Sequence, residues 1–171
     1  MKTFVVLLAV FLSVAGRVAA QDLTSVDLYL QDIDGDEHSF QDYLADIRDG
    51  SDRGAVFISF WAMWCEPCKQ EMKALKPVYA KYKDQNFHYL AINLDNPRSL
   101  AKVKAYVKAQ KLPYDFWLDP NSEVFKKLNG QSMPYSLLIN QDGELVAKRT
   151  GYIAGDEHEI EDDIKKILEQ E

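Results

Sequence analysis

The chain has 171 residues and carries 27 acidic side chains against 20 lysines and arginines, a formal charge of −7 at pH 7. An acidic surface of that strength repels phosphate backbones and anionic lipid, and so argues against nucleic acid and anionic membrane as partners. Its length suits one domain with its own core, and its only two cysteines, Cys65 and Cys68, stand three positions apart.

The first residues, MKTFVVLLAVFLSVAGRVAAQ, do not read as part of a fold. Lys2 supplies a positive start, Phe4 to Ala15 are apolar apart from Ser13, and Val18-Ala19-Ala20 offers small residues where a signal peptidase cuts. The apolar run is about a dozen residues, whereas crossing a bilayer takes about twenty. Residues 1–20 are therefore expected to be a cleaved secretory signal peptide, delivering residues 21–171 as a single domain to the periplasm or the exterior. A retained amino-terminal anchor is the alternative, kept open by Arg17 beside the cut. No cysteine follows the apolar run to take a lipid.

Val26, Leu28 and Leu30 alternate with polar neighbours, as on a half-buried strand. A turn at Asp34-Gly35 returns the chain as a second short strand over His38 to Phe40, making a hairpin. Gln41 to Ile47 reads as a brief helix ended by RDGSDRG, and Ala55 to Phe60 (AVFISF) as a buried strand. From Glu66 to about Lys83 the spacing of Met72, Leu75, Val78 and Tyr82 is helical, with Pro77 expected to kink the helix. Phe87 to Asn93 is the next strand. Asn96-Pro97 starts a helix to about Lys111, with Leu100, Val103 and Val107 on its apolar face. Tyr114 to Leu118 is a strand, and Asn121 is expected to cap a short helix ending at Asn129-Gly130. Tyr135 to Ile139, a turn at Asp142-Gly143, and Leu145 to Thr150 form a hairpin. The last helix carries the stripe Ile160, Ile164, Ile167 and Leu168. Strands alternating with helices, closed by a hairpin and a helix, predict an α/β domain with a mixed sheet.

Two cysteines allow one intramolecular pairing, Cys65–Cys68. In the chain-entropy account so short a loop stabilises by only about 2 kcal/mol, against about 3 for fifteen residues. Chemistry is the better reason for the pair. Cys65 falls at the amino end of a helix, where unpaired amides and the dipole favour an anion, and a thiolate is the form that attacks disulfides. Cys68, one turn on, can expel the partner from the mixed disulfide. Pro67 suits a first helical turn. Trp61 and Trp64 are expected to wall one side and hold back water, although plain core packing explains Trp61 equally well. Glu66 beside Cys65 works against the dipole and disfavours its thiolate. A less stabilised reduced form gives up electrons more readily, so the pair is expected to be a reductant, with Lys69 near enough to blunt the effect.

FISFWAMWCEPCKQEM resembles the active-site segment of the thioredoxin-like fold, most of all its exported TlpA/ResA branch with FW-x-x-WC-x-P-C. The resemblance continues through LAINLDN, LPYDFWLDP, SMPYSLLINQDGELV and RTGYI, and spans nearly all of residues 23–170. It implies a thioredoxin-like three-layer fold with a mixed central sheet and an amino-terminal β-hairpin extension. It also implies that Pro134 is cis and faces the cysteines, and that Met133 and Pro134 form the edge on which a substrate docks. The sequence departs from the pattern in places. Many thioredoxins carry a buried Asp six residues before the first cysteine, where Ser59 stands here. ResA-type proteins place a Glu after the next strand, where Asn96 falls, leaving neighbouring Asp95 as the candidate substitute. The proline usual five residues after the second cysteine is Lys73, and Pro77 comes a turn later.

The resulting expectation is an exported thiol–disulfide oxidoreductase that reduces client protein disulfides, with cytochrome c maturation a candidate process. No cofactor and no metal are implied; electrons come from an upstream dithiol donor, membrane-borne, and the chain is expected to be a monomer. The rivals are a copper(I)-binding thiol carrier, a peroxidase of the same broad fold, and a binding module with an idle disulfide. Against the first, His38, His88 and His158 are scattered; against the second, Trp61-Ala62-Met63-Trp64 replaces the threonine a peroxidase places before its cysteine. Intact-mass measurement of the exported protein is expected to find Gln21 at the amino terminus, and a mass that retains residues 1–20 would overturn the leader.

Overall fold

The computed structural model describes residues 29–49 and 54–169. The expected leader, Gln21, Val26 and Leu28 lie outside the described residues, as do positions 50–53 of the RDGSDRG turn.

Strand β3 (Ala55–Trp61) is the centre of the molecule, and every one of its residues is buried. A run of β-branched and aromatic residues with no polar alternation can satisfy itself only with a layer on each face. β3 pairs in parallel with β4 (Phe87–Asn93) and antiparallel with β6 (Tyr135–Asn140). Outward from β4 come β5 (Asp115–Leu118), β1 (Tyr29–Asp32) and β2 (Glu37–Ser39); outward from β6 comes β7 (Leu145–Thr150). The order is β2-β1-β5-β4-β3-β6-β7, a mixed seven-stranded sheet. The expected amino-terminal hairpin is β1–β2, joined to the sheet through the antiparallel pair β1–β5.

The crossovers β3 to β4 and β4 to β5 step the same way across the sheet, so right-handed connection puts their helices on one face. That face holds α2 (Glu66–Ala74), α3 (Lys76–Tyr82) and α4 (Leu100–Gln110), joined by α6 (Asp156–Glu169). Their core includes Phe57, Trp61, Cys68, Met72, Tyr89, Val103, Ile160 and Ile164. On the other face α1 (Phe40–Arg48) and α5 (Glu123–Lys127) pack on Val56, Ile58, Phe60, Leu90 and Leu137. This is the three-layer thioredoxin-like arrangement.

Four local expectations change. Phe40 opens α1 rather than closing β2, because Ser39 accepts a hydrogen bond from Asp42 N and acts as the cap. Tyr114 lies just before β5, and its hydroxyl reaches across to donate to Met72 O at 2.7 Å. The long helix is not merely kinked. It divides at Leu75 into α2 and α3, with Pro77 in the first turn of the second, where its missing amide costs nothing. Asn121 does not cap α5: the buried Asp119 does, accepting from Glu123 N at 2.8 Å and Phe125 N at 2.9 Å while Ser122 takes a left-handed conformation. The Asp34-Gly35 and Asp142-Gly143 turns form as expected, each glycine at positive φ (101° and 80°). Among the described residues no helix is long and apolar enough to cross a membrane.

Candidate active site

β3 ends at Trp61, and three loop residues later the chain enters α2 with Cys65 as its cap. Cys65 and Cys68 form a disulfide, S–S 1.96 Å, with Cα atoms 5.4 Å apart. Cys65 Sγ accepts a hydrogen bond from Cys68 N at 3.3 Å, so an unpaired amide at the helix start already points at the sulfur expected to carry the negative charge. Pro67 occupies the first turn, as its fixed φ allows. Cys65 is 4 % exposed and Cys68 fully buried, its Sγ 3.9 Å from Phe60 O.

The tryptophans divide their roles. Trp61 is fully buried against Tyr106 and Phe116 and walls the inner side. Trp64, expected to help hold back water, is instead 73 % exposed, because it lies in the loop before the helix with no element packed over it. Glu66 is an exposed residue whose carboxylate sits 2.7 Å from Lys69 Nζ, and that ammonium holds its pKa below the ordinary value. The paired ammonium opposes the field of the Glu66 carboxylate beside Cys65.

Asp95, the candidate substitute for the missing acid, is half-buried in the loop after β4. Its Oδ2 accepts from Met63 N at 2.7 Å and from Asn93 Nδ2 at 2.9 Å. Those donors make it a brace that ties the loop before Cys65 to the end of β4. It also lines, with Asn93, a cavity of about 540 Å³ at the carboxyl ends of β4 and β5.

The buried acid is Glu71, which sequence reasoning missed. It lies three residues after Cys68 on the same helix, so the two side chains are neighbours on one face, and it is 1 % exposed. Its Oε2 accepts a hydrogen bond from Ser59 Oγ. Ser59, the residue that stands where many thioredoxins have an Asp, thus holds a carboxyl supplied from the helix. Because Ser59 precedes Phe60, that carboxyl and Cys68 Sγ contact adjacent residues of β3, the first the Ser59 hydroxyl and the second Phe60 O. Burial drives the Glu71 pKa from 4.5 to about 7; the hydroxyls of Ser59 and Ser136 pull downward, Asp156 pushes up and Arg149 draws it down. A signal was present: Cys68, Met72 and Leu75 mark the core stripe of the helix, and Glu71 falls on it.

The Met133–Pro134 bond is cis. Pro134 immediately precedes Tyr135, which pairs with Phe60, so it stands at the end of β3 where the cysteine loop leaves. Gly151 N donates to Pro134 O at 2.7 Å, tying that edge to the loop carrying the exposed Ile153. Among the described residues no cluster of three or more His, Cys, Asp or Glu is placed to hold a metal ion.

The model of the AhpC/TSA family matches residues 22–162. The thiol-disulfide oxidoreductase ResA of Geobacillus kaustophilus (strain HTA426) is 31% identical over 147 residues, covering 85% of this chain and 75% of that protein. ResA of Bacillus thuringiensis subsp. konkukian (strain 97-27) is 30% identical over 122 residues, covering 71% and 68%. Among solved structures, a putative thiol:disulfide interchange protein DsbE from Chlorobium tepidum superposes with a TM-score of 0.71 at 25% identity, covering 84% of this chain and 94% of that one.

A raised pKa makes Glu71 a pH-dependent load on the fold. The folded chain keeps its proton at pH values where the unfolded chain has released it, so this contribution is complete below pH 4.5 and is lost as pH rises through about 7. Glu71→Gln, neutral throughout, is expected to melt close to wild type near pH 4 and above it at pH 8. Thermal melts of the two oxidised proteins across that range check this; a wild-type advantage growing toward pH 8 would contradict a buried neutral acid.

Proposed function

This chain belongs to the AhpC/TSA family and is a thiol–disulfide oxidoreductase of the ResA type; from that premise we propose that it is an exported reductant of protein disulfides. The observation that carries the direction is the buried Glu71 carboxyl on the helix of Cys68.

In this reading Cys65, as thiolate at the helix start, attacks a client disulfide. One client sulfur leaves as thiolate and takes a proton from solvent, and a Cys65–client mixed disulfide remains. Glu71, as carboxylate, accepts the Cys68 thiol proton. Cys68 then attacks Cys65 Sγ, the client's second sulfur departs as thiolate, and the Cys65–Cys68 disulfide closes. The client has gained two electrons and the pair has lost them. A membrane-borne dithiol donor must restore the dithiol, since two electrons are consumed each turn. The client's chain lies extended along Met133–Pro134, whose backbone supplies the docking edge.

The same acid sets the direction. A carboxyl partly ionised near neutral pH disfavours a second negative charge on the neighbouring sulfurs. Destabilised thiolates mean a destabilised reduced form, hence a pair that passes electrons on. Glu71 takes over the role that the sequence assigned to Glu66, whose charge Lys69 matches. The favoured clients are apoproteins awaiting free thiols, apocytochrome c among them.

Two measurements test this. Equilibration of Cys65–Cys68 with a thiol buffer, followed by tryptophan fluorescence, is expected to give a potential near or below the roughly −270 mV of thioredoxin; a value near the roughly −120 mV of a strong oxidant would reverse the direction. Cys68→Ser is expected to accumulate a client mixed disulfide on Cys65, and Cys65→Ser none. The opposite pattern would exchange the roles of the two cysteines.

A further inference from the structure

Ser59 has a twin. Its antiparallel partner across β3 and β6 is Ser136, and directly opposed residues in such a pair project from the same face of the sheet. The row continues outward, Ser136 pairing with Arg149 on β7. From the centre of the sheet toward its edge the helix-covered face therefore presents hydroxyl, hydroxyl, guanidinium, with the Glu71 carboxyl over the first of them.

The three are not equally committed. Ser59 donates to Glu71 Oε2. Arg149 gives its guanidinium to Asp163, at 2.6 Å, and Glu159, at 3.1 Å, and so is turned to the surface rather than to the buried acid. Ser136 is 1 % exposed and its hydroxyl makes no hydrogen bond, although it lies close enough to favour the ionised carboxyl. Leaving a buried hydroxyl unpaired is costly, on the order of 1–3 kcal/mol, and calls for a state in which it is used. A crevice lined by Phe57, Ser136, Leu138, Ala147, Arg149 and Ile160 lies beside it, too tight to hold a water molecule, and the hydroxyl can re-aim by rotation about its own Cβ–Oγ bond.

A neutral carboxyl needs little from its surroundings, but a carboxylate offers about four lone-pair sites and donates nothing. With water excluded, a Glu71 carboxylate needs more than one donor. We propose that Ser136 is a positioning residue for Glu71: with Ser59 it forms a two-hydroxyl cradle that closes on the carboxylate and reopens when the acid is protonated. This rests on the role given to Glu71 above and adds what allows a sealed acid to lose and regain a proton within one turnover. Of the other groups facing Glu71, Asp156 at the start of α6 repels the anion, and the Tyr114 and Tyr152 hydroxyls donate to Met72 O and Glu157 Oε2. The Tyr89 hydroxyl is also buried without a hydrogen bond and lies by Ser59, within the field of Glu71, but it is Ser136 that the strand register places directly opposite the carboxyl's first donor.

The test is the titration of the Glu71 carboxyl carbon by NMR in oxidised, carbon-13-glutamate-labelled protein, where neither cysteine titrates, with Glu71→Gln assigning the resonance. Ser136→Ala is expected to raise the midpoint by about one pH unit, the equivalent of one hydrogen bond to a charged group. Ser136→Thr, which keeps the hydroxyl, is expected to restore it. A merely structural serine would lower the melting temperature and leave the midpoint where it was, and an unmoved midpoint in Ser136→Ala overturns the cradle. The pH profile of mixed-disulfide resolution, measured on the same variants, is expected to shift in parallel. A shifted midpoint with an unshifted rate profile would uphold the cradle and remove Glu71 from the proton transfer.

Discussion

Glu71 reaches from α2 into the sheet, and its carboxyl is held there by the hydroxyl of Ser59. A charged group in that position would face a desolvation penalty of several kcal/mol without partners. The fold answers by raising its proton affinity and surrounding it with hydroxyls rather than a cation. The constraint spreads from there. Glu71 can be buried only if α2 lies flat on β3, which requires Cys68 and Met72 to be in the core. Cys65 must then be the residue at the helix start, the more accessible of the two sulfurs.

β3 transmits this geometry because it is paired on both sides. Its parallel register with β4 sets Trp61 beside Asn93, and Leu94 N donates to Trp61 O. Its antiparallel register with β6 sets Phe60 beside Tyr135. The cysteine loop, the Asp95 brace and the cis proline therefore gather at one end of three strands, although they lie far apart in the chain. Division of the helix at Leu75 leaves α2 a nine-residue element that is capped by Cys65 and carries Cys68, the acid and the Lys69–Glu66 pair.

What can be read from the sequence follows from how locally each feature is determined. β3 and β4 are legible to within a residue, since a short, β-branched apolar run that ends in a polar loop fits little but a buried strand. The cysteine pair is legible because spacing and helix onset occur within a few residues. Glu71 is not, because a charged residue on a helix ordinarily faces water, and its burial depends on a hydroxyl twelve positions earlier on another element. Ser59 reads as the loss of an acid, whereas it is the acid's partner. Asn121 reads as a cap because it stands at the right distance in sequence; the left-handed turn at Ser122 lets Asp119 reach both amides instead. The cis bond before Pro134 is foreseen only through resemblance, since nothing in neighbouring residues specifies it.

The exposed indole of Trp64 and the side chain of Ile153 give the reactive end a bare apolar lip. Such a lip attracts an unfolded chain that brings a disulfide to it, and it attracts other copies of itself equally well. The formal charge of −7 acquires a purpose there. Like-charged copies repel one another over roughly 8 Å at physiological ionic strength, while a neutral or basic client meets no such barrier. The acidic surface is thus a colloidal safeguard: it lets the molecule stay sticky at one end and still remain dispersed when nothing is bound.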